Sequence, residues 1–276
     1  MRAGIILILS AFLLAGCSGG SQGGDHVVAA FYPVAFAATE VGGSGVVVRN
    51  LTPPGVEPHD LEATPSTVRA VKEADHVLLL GHGFQPQLEA AAGNGPSVVH
   101  LLDTSGLRLH PADPHVWLDP LRYALIVKRI AVALGRPRAA APVVARLDAL
   151  DREYRAGLAH CERHEIVTSH EAFAYLGERY GLQQIAITGI TPEAEPRPQE
   201  LQHVIDVVRK THATTVFFET LVSPRLADTV AHEAGAKTAV LDPIEGLTKD
   251  EAKRGDDYFT LMRQNLRALR EALGCR

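Results

Sequence analysis

Apolar positions along the chain follow two alternating rhythms. Short runs rich in Val, Ile and Leu at Val27–Phe31, Val46–Leu51, Val77–Leu80 and Val98–Leu102 read as buried strands. Between them lie helical stretches. One opens at Pro33 and stops at Gly42-Gly43, one is capped by Thr64 with Pro65 and reaches Asp75, and a short one begins near Gln85. A further helix runs from Asp119 to Leu134. The segment Pro142–Ala159 differs in kind, because Val143, Leu147, Leu150, Tyr154 and Leu158 share one helical stripe among charged neighbours. The first rhythm then returns, with strands at Glu165–Thr168, Gln184–Thr188, Thr215–Glu219 and Lys237–Leu241. Helices are expected at Glu171–Tyr180, with Gly181 as its stop, at Gln199–Thr211 and at Pro224–Ala234. A last helix carries Tyr258, Leu261, Met262, Leu266, Leu269 and Leu273 on its apolar side. This alternation predicts an α/β fold of two lobes, each a mostly parallel sheet with flanking helices, joined by one long linking helix. The expected bounds are 25–137 for the N-terminal lobe, 138–160 for the linking helix and 161–276 for the C-terminal lobe.

The N-terminus stands outside this pattern. Arg2 precedes an apolar run from Ala3 to Ala15, shorter than the roughly 20 residues of a membrane span but suited to a signal-peptide core. Leu14-Ala15-Gly16-Cys17 resembles a bacterial lipoprotein processing site. Residues 1–16 are therefore expected to be removed and Cys17 lipidated, with 17–24 as a flexible tether. That places the folded body on the extracytoplasmic face of a membrane, at the cell surface or in the periplasm. In an oxidising compartment the two other cysteines, Cys161 and Cys275, form an even pair suited to a disulfide, the alternative being two free buried thiols. The formal net charge of −5 argues against a nucleic-acid partner, and 5% aromatic residues argue against a stacking platform for a large flat ligand.

Histidine is abundant, with 13 copies, and position decides which of them matter. Ligands of open α/β sheets bind beyond the carboxyl ends of the strands. His59 follows the second strand, in the run Thr52-Pro53-Pro54-Gly55-Val56-Glu57-Pro58-His59-Asp60. His115 follows the fourth, in Asp113-Pro114-His115-Val116-Trp117-Leu118-Asp119-Pro120, where prolines restrict the backbone on both sides of the imidazole. His170 comes just after Thr168, and Asp242 directly after Leu241. Singly, His59 is a loop histidine, His170 a helix cap and Asp242 the start of a turn. Jointly they divide two and two between the lobes, on edges facing a shared cleft. Three imidazoles and one carboxylate suit Zn²⁺, whereas a harder ion such as Mn²⁺ favours more oxygen. Enzyme signatures are missing: no His-Glu pair has a second His at the zinc-protease spacing, no Gly-x-Ser-x-Gly elbow follows a predicted strand (the glycine-rich Ser18–Gly24 segment precedes no helix and reads as tether), and there is no P-loop.

Several runs together resemble the zinc/manganese class of ABC-transporter solute-binding proteins. They are Phe31-Tyr32-Pro33-Val34-Ala35-Phe36, the His59 and His115 motifs, Thr168-Ser169-His170-Glu171-Ala172-Phe173, Glu219-Thr220-Leu221-Val222-Ser223-Pro224, and Leu241-Asp242-Pro243-Ile244-Glu245-Gly246-Leu247. The resemblance spans nearly all of the chain after the tether. It implies a monomeric, non-enzymatic protein that captures Zn²⁺ and delivers it to a membrane permease with its cytoplasmic ATPase. The implied ligands are His59, His115, His170 and Asp242. Manganese-preferring members tend to carry Glu where His170 stands, so His170 points to zinc, with manganese the alternative cargo. Glu57 and Glu219 are candidate acceptors for imidazole N–H groups. Trp117 is expected to pack beneath its loop, and Asp113 and Asp119 to fix turns and the next helix start. Many zinc members carry a long His-rich loop before the second ligand motif. Here the interval from Asp103 to Ala112 is short and offers only His110, with His82 and His100 nearby. A zinc hydrolase and a siderophore- or corrinoid-binding protein are the rival readings; an open coordination position for water would favour the first.

Overall fold

The structure is a computed structural model that describes residues 24–59, 61–95 and 97–276. The expected signal peptide and tether, Cys17 included, lie outside the described residues apart from Gly24. In the first half, strands β1 (Asp25–Ala29), β2 (Val46–Asn50), β3 (His76–Leu79) and β4 (Val98–His100) alternate with helices α1 (Tyr32–Gly42), α2 (Pro65–Glu73) and α3 (Pro86–Ala92). After α4 (Pro120–Ala133) and α5 (Ala140–Gly157) the alternation resumes. It comprises β5 (Glu165–Thr168), α6 (Ala174–Tyr180), β6 (Gln183–Ala186), α7 (Pro198–Thr211), β7 (Thr215–Phe218), α8 (Arg225–Ala234) and β8 (Lys237–Val240). The chain closes with α9 (Lys249–Arg254) and α10 (Tyr258–Leu273).

Each half forms a four-stranded parallel sheet, ordered β2-β1-β3-β4 and β6-β5-β7-β8. The two orders are the same permutation, without a sequence repeat to announce it. Central strands are apolar on both faces because helices cover both, as Val27, Val28 and Ala29 of β1 and Val77, Leu78 and Leu79 of β3 illustrate. Edge strand β2 instead alternates half-buried and exposed residues. Parallel pairing aligns the carboxyl ends of all four strands of a sheet, so the loops that leave them gather on one side.

Helix ends follow local chemistry. Proline opens α2, α3, α4 and α7, where its missing N–H costs no hydrogen bond. Asp119 caps α4 by accepting from the N–H of Leu121 at 2.9 Å. Gly181 ends α6 in the left-handed region, as its position after Tyr180 predicts. Two elements differ from the sequence reading. Helix α6 starts at Ala174 instead of Glu171, because backbone groups there bond elsewhere: the His170 carbonyl accepts from Thr168 and Gln184, and the Phe173 N–H donates to Gln184. Helix α9 is additional, with Thr248 and Glu251 forming a reciprocal capping box.

Helix α5, at 18 residues, is roughly 27 Å long at the usual rise. It buries Val143, Leu147, Leu150 and Tyr154, and the Tyr154 hydroxyl donates to the Met262 carbonyl of α10 at 2.6 Å. The start of α10 reaches the first half of the chain. Tyr258 lies with its ring centroid 4.7 Å from Tyr123 and 5.8 Å from Phe36, and its hydroxyl donates to the Trp117 carbonyl. One continuous apolar cluster consequently includes residues of both sheets, α5 and α10. No helix among the described residues is long and apolar enough to cross a membrane.

Cys161 and Cys275 form a disulfide across a sequence separation of 114. It ties the chain end to the segment entering β5, where Glu162 N–H and Arg163 N–H also donate to the Leu273 carbonyl. Closing a loop of that length removes unfolded-state entropy worth about 4–5 kcal/mol in the chain-entropy account. Urea unfolding with and without reductant checks this: the midpoint is expected to fall sharply on reduction, and an unchanged midpoint refutes it.

Candidate metal centre

Four loops meet beyond the strand ends. The loop after β2 carries His59. It is held by the Gln85 amide, which donates to the Pro58 carbonyl at 3.2 Å, and by the edge of Phe84, centred 4.8 Å from the imidazole. Gly55 in the same loop, at φ +85°, donates its N–H to the Leu247 carbonyl at 2.7 Å and so joins this loop to the one after β8. The loop after β4 carries His115, which is fully buried. Asp113 Oδ1 accepts the His115 backbone N–H at 2.9 Å and sits 2.7 Å from its Nδ1, so one carboxylate sets both the turn and the ring. Trp117 packs against Phe31 and His115, and its indole N–H donates to the Pro243 carbonyl at 2.7 Å. His170, in the loop after β5, has its Nδ1 2.8 Å from Glu219 Oε1, an oxygen that also accepts from Ser169 Oγ at 3.0 Å.

The fourth member is Glu245, in the loop after β8. Its Oε1 lies 2.8 Å from His115 Nε2, 3.1 Å from His59 Nε2 and 3.5 Å from His170 Nε2. One donor atom from each of His59, His115, His170 and Glu245 falls within 4.8 Å of all the others. Asp242, expected in that position, is not part of this group. Its Oδ1 accepts from Ile244 N–H at 2.7 Å and its Oδ2 from the Thr220 hydroxyl at 3.0 Å. Both oxygens are engaged, and Glu245, three residues on, meets the imidazoles instead. Glu57 lies half-buried two residues ahead of His59 and is likewise outside the group. His82 pairs with Asp103 at 2.9 Å and His110 with Glu178 at 3.0 Å, both at exposed positions. His100 ends β4, also outside the group. Sequence reading therefore missed Glu245, although it stands in the same short run as Asp242, and it missed the ring-orienting role of Asp113.

Burial and charge make the group chemically specific. Burial acts to raise the Glu245 carboxyl, but His115, His170 and His59 outweigh it and hold it well below the usual carboxylate range. Burial disfavours the His170 imidazolium, yet the carboxylates of Glu219 and Glu245 push its pKa up to about 10. His115 is raised from its ordinary value for the same reason, with Asp113 and Glu245 overcoming burial. Asp242 is pushed up to about 7, mainly by burial. With neutral imidazoles, the buried carboxylates of Asp113, Glu219 and Glu245 would face one another without compensation, which is costly in a desolvated site. A divalent cation at the imidazole Nε2 atoms supplies that compensation. Two buried atoms of the group, His170 Nε2 and Glu245 Oε2, have no hydrogen-bond partner among the described residues. Donors and acceptors left over in this way fit a metal ion. His59 is the least buried of the four, with 8% of its side chain exposed. It lines a cavity of about 430 Å³ together with His82, Phe84, His110, Asp113 and Thr191.

Two parallel-sheet lobes with three imidazoles and a carboxylate between their loops define a two-lobed binding protein with a metal-type centre. Comparison with known proteins identifies which. The ZnuA family, described as "Zinc-uptake complex component A periplasmic", matches residues 27–272, and the chain belongs to it. The high-affinity zinc uptake system protein ZnuA of Bacillus subtilis is 32% identical over 310 residues, covering 98% of this chain and 97% of that protein. The zinc-binding lipoprotein AdcA of Streptococcus pneumoniae is 31% identical, but the chain spans only 60% of its length. Among solved structures, the Zn(II)-bound ZnuA-like domain of S. pneumoniae AdcA superposes with a TM-score of 0.79 at 33% identity, over 91% of this chain and 99% of that one. The laminin-binding protein Lmb of Streptococcus agalactiae, described as bifunctional with adhesin and metal transporting activity, gives 0.83 at 29% identity, over 91% and 100%.

Proposed function

We propose that this protein is the extracytoplasmic zinc-binding component of an ABC importer, and that His59, His115, His170 and Glu245 hold the ion it carries. One observation carries the reading: three imidazole Nε2 atoms converge on a single buried carboxylate oxygen. Three nitrogens and one oxygen suit zinc better than manganese, which favours more oxygen ligands. Asp113 and Glu219 hold the outer ring nitrogens of His115 and His170, leaving each Nε2 lone pair for the ion. Cys17, in its lipoprotein-like context, anchors a monomer to the membrane, and a permease with its ATPase receives the cargo. Family membership and the names of the relatives support the transport role. The cargo is bound and released without a bond being broken.

Competition titration of metal-free protein with Zn²⁺ and Mn²⁺ tests this. Zinc is expected to bind tighter by about 100-fold or more, and equal or inverted affinities would overturn the zinc assignment. The same titration should release protons at pH 7, because His170 is protonated below about pH 10 in the metal-free state and must lose its proton to bind. Apparent zinc affinity therefore rises with pH up to about 10. The sign is opposite for the metal-free fold. A His whose folded pKa is raised stabilises fully below its unfolded value of about 6.5 and loses that contribution as pH climbs through about 10. Calorimetry in buffers of different ionisation enthalpy counts the protons, and none released at pH 7 would contradict the geometry.

A further inference from the structure

The loop that delivers Glu245 runs against the preference of its own sequence. Ile244 has φ +58°, a region where a β-branched side chain crowds the following carbonyl and which glycine enters freely. Its side chain is fully buried, so the conformation is enforced by surroundings rather than by solvent. The adjoining polar groups are pinned. Asp242 Oδ1 accepts the Ile244 N–H at 2.7 Å, two residues along the chain. Asn265 accepts the Asp242 N–H at 2.9 Å and donates to the Asp242 carbonyl at 2.6 Å. Trp117 reaches over from the other lobe to the Pro243 carbonyl at 2.7 Å. Strained backbone of this kind persists only where its surroundings over-determine it, and it gathers at functional sites.

We infer that Asp242 is a positioning residue of the metal centre, whose carboxylate locks Ile244 in the left-handed conformation that turns Glu245 onto the three imidazoles. The inference rests on the zinc-site reading above. Were Ile244 to relax to negative φ, the chain would leave it in another direction, and the very next residue is Glu245. Asp242 accepts the N–H of the Pro243–Ile244 peptide and Trp117 donates to its carbonyl, while Asn265 holds the backbone of Asp242. The role is one of acceptor geometry. An asparagine keeps an oxygen for the Ile244 N–H and an amide that can donate to Thr220, whereas a glutamate keeps the charge but displaces the acceptor by a methylene.

Zinc affinity of the full-length protein, measured by competition with a chromophoric chelator, tests this. Asp242→Ala and Asp242→Glu are each expected to weaken zinc binding by about 10–100-fold. Asp242→Asn should stay within about 3-fold of the native chain. In an Ile244→Gly background, Asp242→Ala should cost less than about 3-fold, because glycine adopts the left-handed conformation without a lock. A role confined to holding Thr220 would give the same loss in both backgrounds, and that result overturns the inference. So does an unchanged affinity on Asp242→Ala alone. If Asp242→Ala does not fold, Asp242→Glu in the two backgrounds carries the same comparison. His170→Ala is measured alongside. Zinc affinity unchanged there sinks the metal-site reading and this inference with it, while a loss there with equal losses in the two backgrounds sinks the inference alone.

Discussion

His115→Ala is expected to weaken zinc binding by more than about 100-fold, exceeding the 10–100-fold typical of removing an outer-shell partner. His115 is the most enclosed of the three imidazoles, and its two ring nitrogens lie 2.7 Å from Asp113 and 2.8 Å from Glu245. Removing the ring takes away one ligand and the group that orients another, since Glu245 Oε1 loses its shortest contact. It also leaves two buried carboxylates facing a void, so the metal-free protein is destabilised as well. His170→Ala should behave alike, with Glu219 as the abandoned carboxylate. The two effects separate experimentally: circular dichroism reports whether the fold survives at 25 °C, and chelator competition reports the ion. Native zinc affinity in both folded variants would remove these residues from the site.

Asp119→Ala is expected to be the most destabilising single change outside the metal centre, by about 3 kcal/mol in urea unfolding. The carboxylate is fully buried and does three things at once. It caps α4 through the Leu121 N–H, it accepts from Arg122 Nη1 at 2.6 Å, and it takes two bonds from Arg179 of α6, at 2.9 and 2.7 Å. Arg122 then continues to Glu178 at 2.6 Å, so the network joins the end of the His115 motif to the second lobe. Alanine forfeits the cap and strands two partly buried guanidinium groups. The lower end of the usual range applies because both arginines keep some contact with solvent, which softens the loss. Asp119→Asn keeps an acceptor for the cap and should cost less than half as much. A cost under about 1 kcal/mol for Asp119→Ala would mean that the cluster contributes only as a surface ion pair does.

Local chemistry carried much of the architecture into view. Runs such as Val27–Ala29 and Val77–Leu79, rich in Val and Leu and bounded by turn signals, read as strands buried on both faces, and prolines at 65, 86, 120 and 198 mark where helices open. Parity and compartment made a Cys161–Cys275 bridge one of two readings, and the structure forms it; the stripe of Val143, Leu147, Leu150 and Tyr154 announced α5. These are properties of residues close in sequence, set by periodicity and backbone preference. Two histidines also showed themselves through their motifs, because proline-flanked loops after strand ends are short and stiff.

What remained hidden depends on which atoms meet across long separations. The run Leu241–Leu247 offers two carboxylates three residues apart, and nothing in that run says which faces the cleft. Direction is decided by a left-handed turn at Ile244, and neither residue type nor spacing predicts such a turn at a β-branched residue. The turn exists because Asp242, Asn265 and Trp117 hold it from three different elements. Glu219 was already a candidate acceptor for an imidazole N–H, but only the folded chain shows that its partner is His170, and only the folded chain brings the first turn of α10 onto Tyr123 and Phe36. Sequence alone pointed to the two parallel sheets, to a long helix between them and to His59, His115 and His170 in loops after strands, because each is written in local pattern. Only the tertiary structure brings Glu245 against the three imidazoles, because its direction is set together with groups such as His115 and Trp117 that lie more than a hundred residues away in sequence.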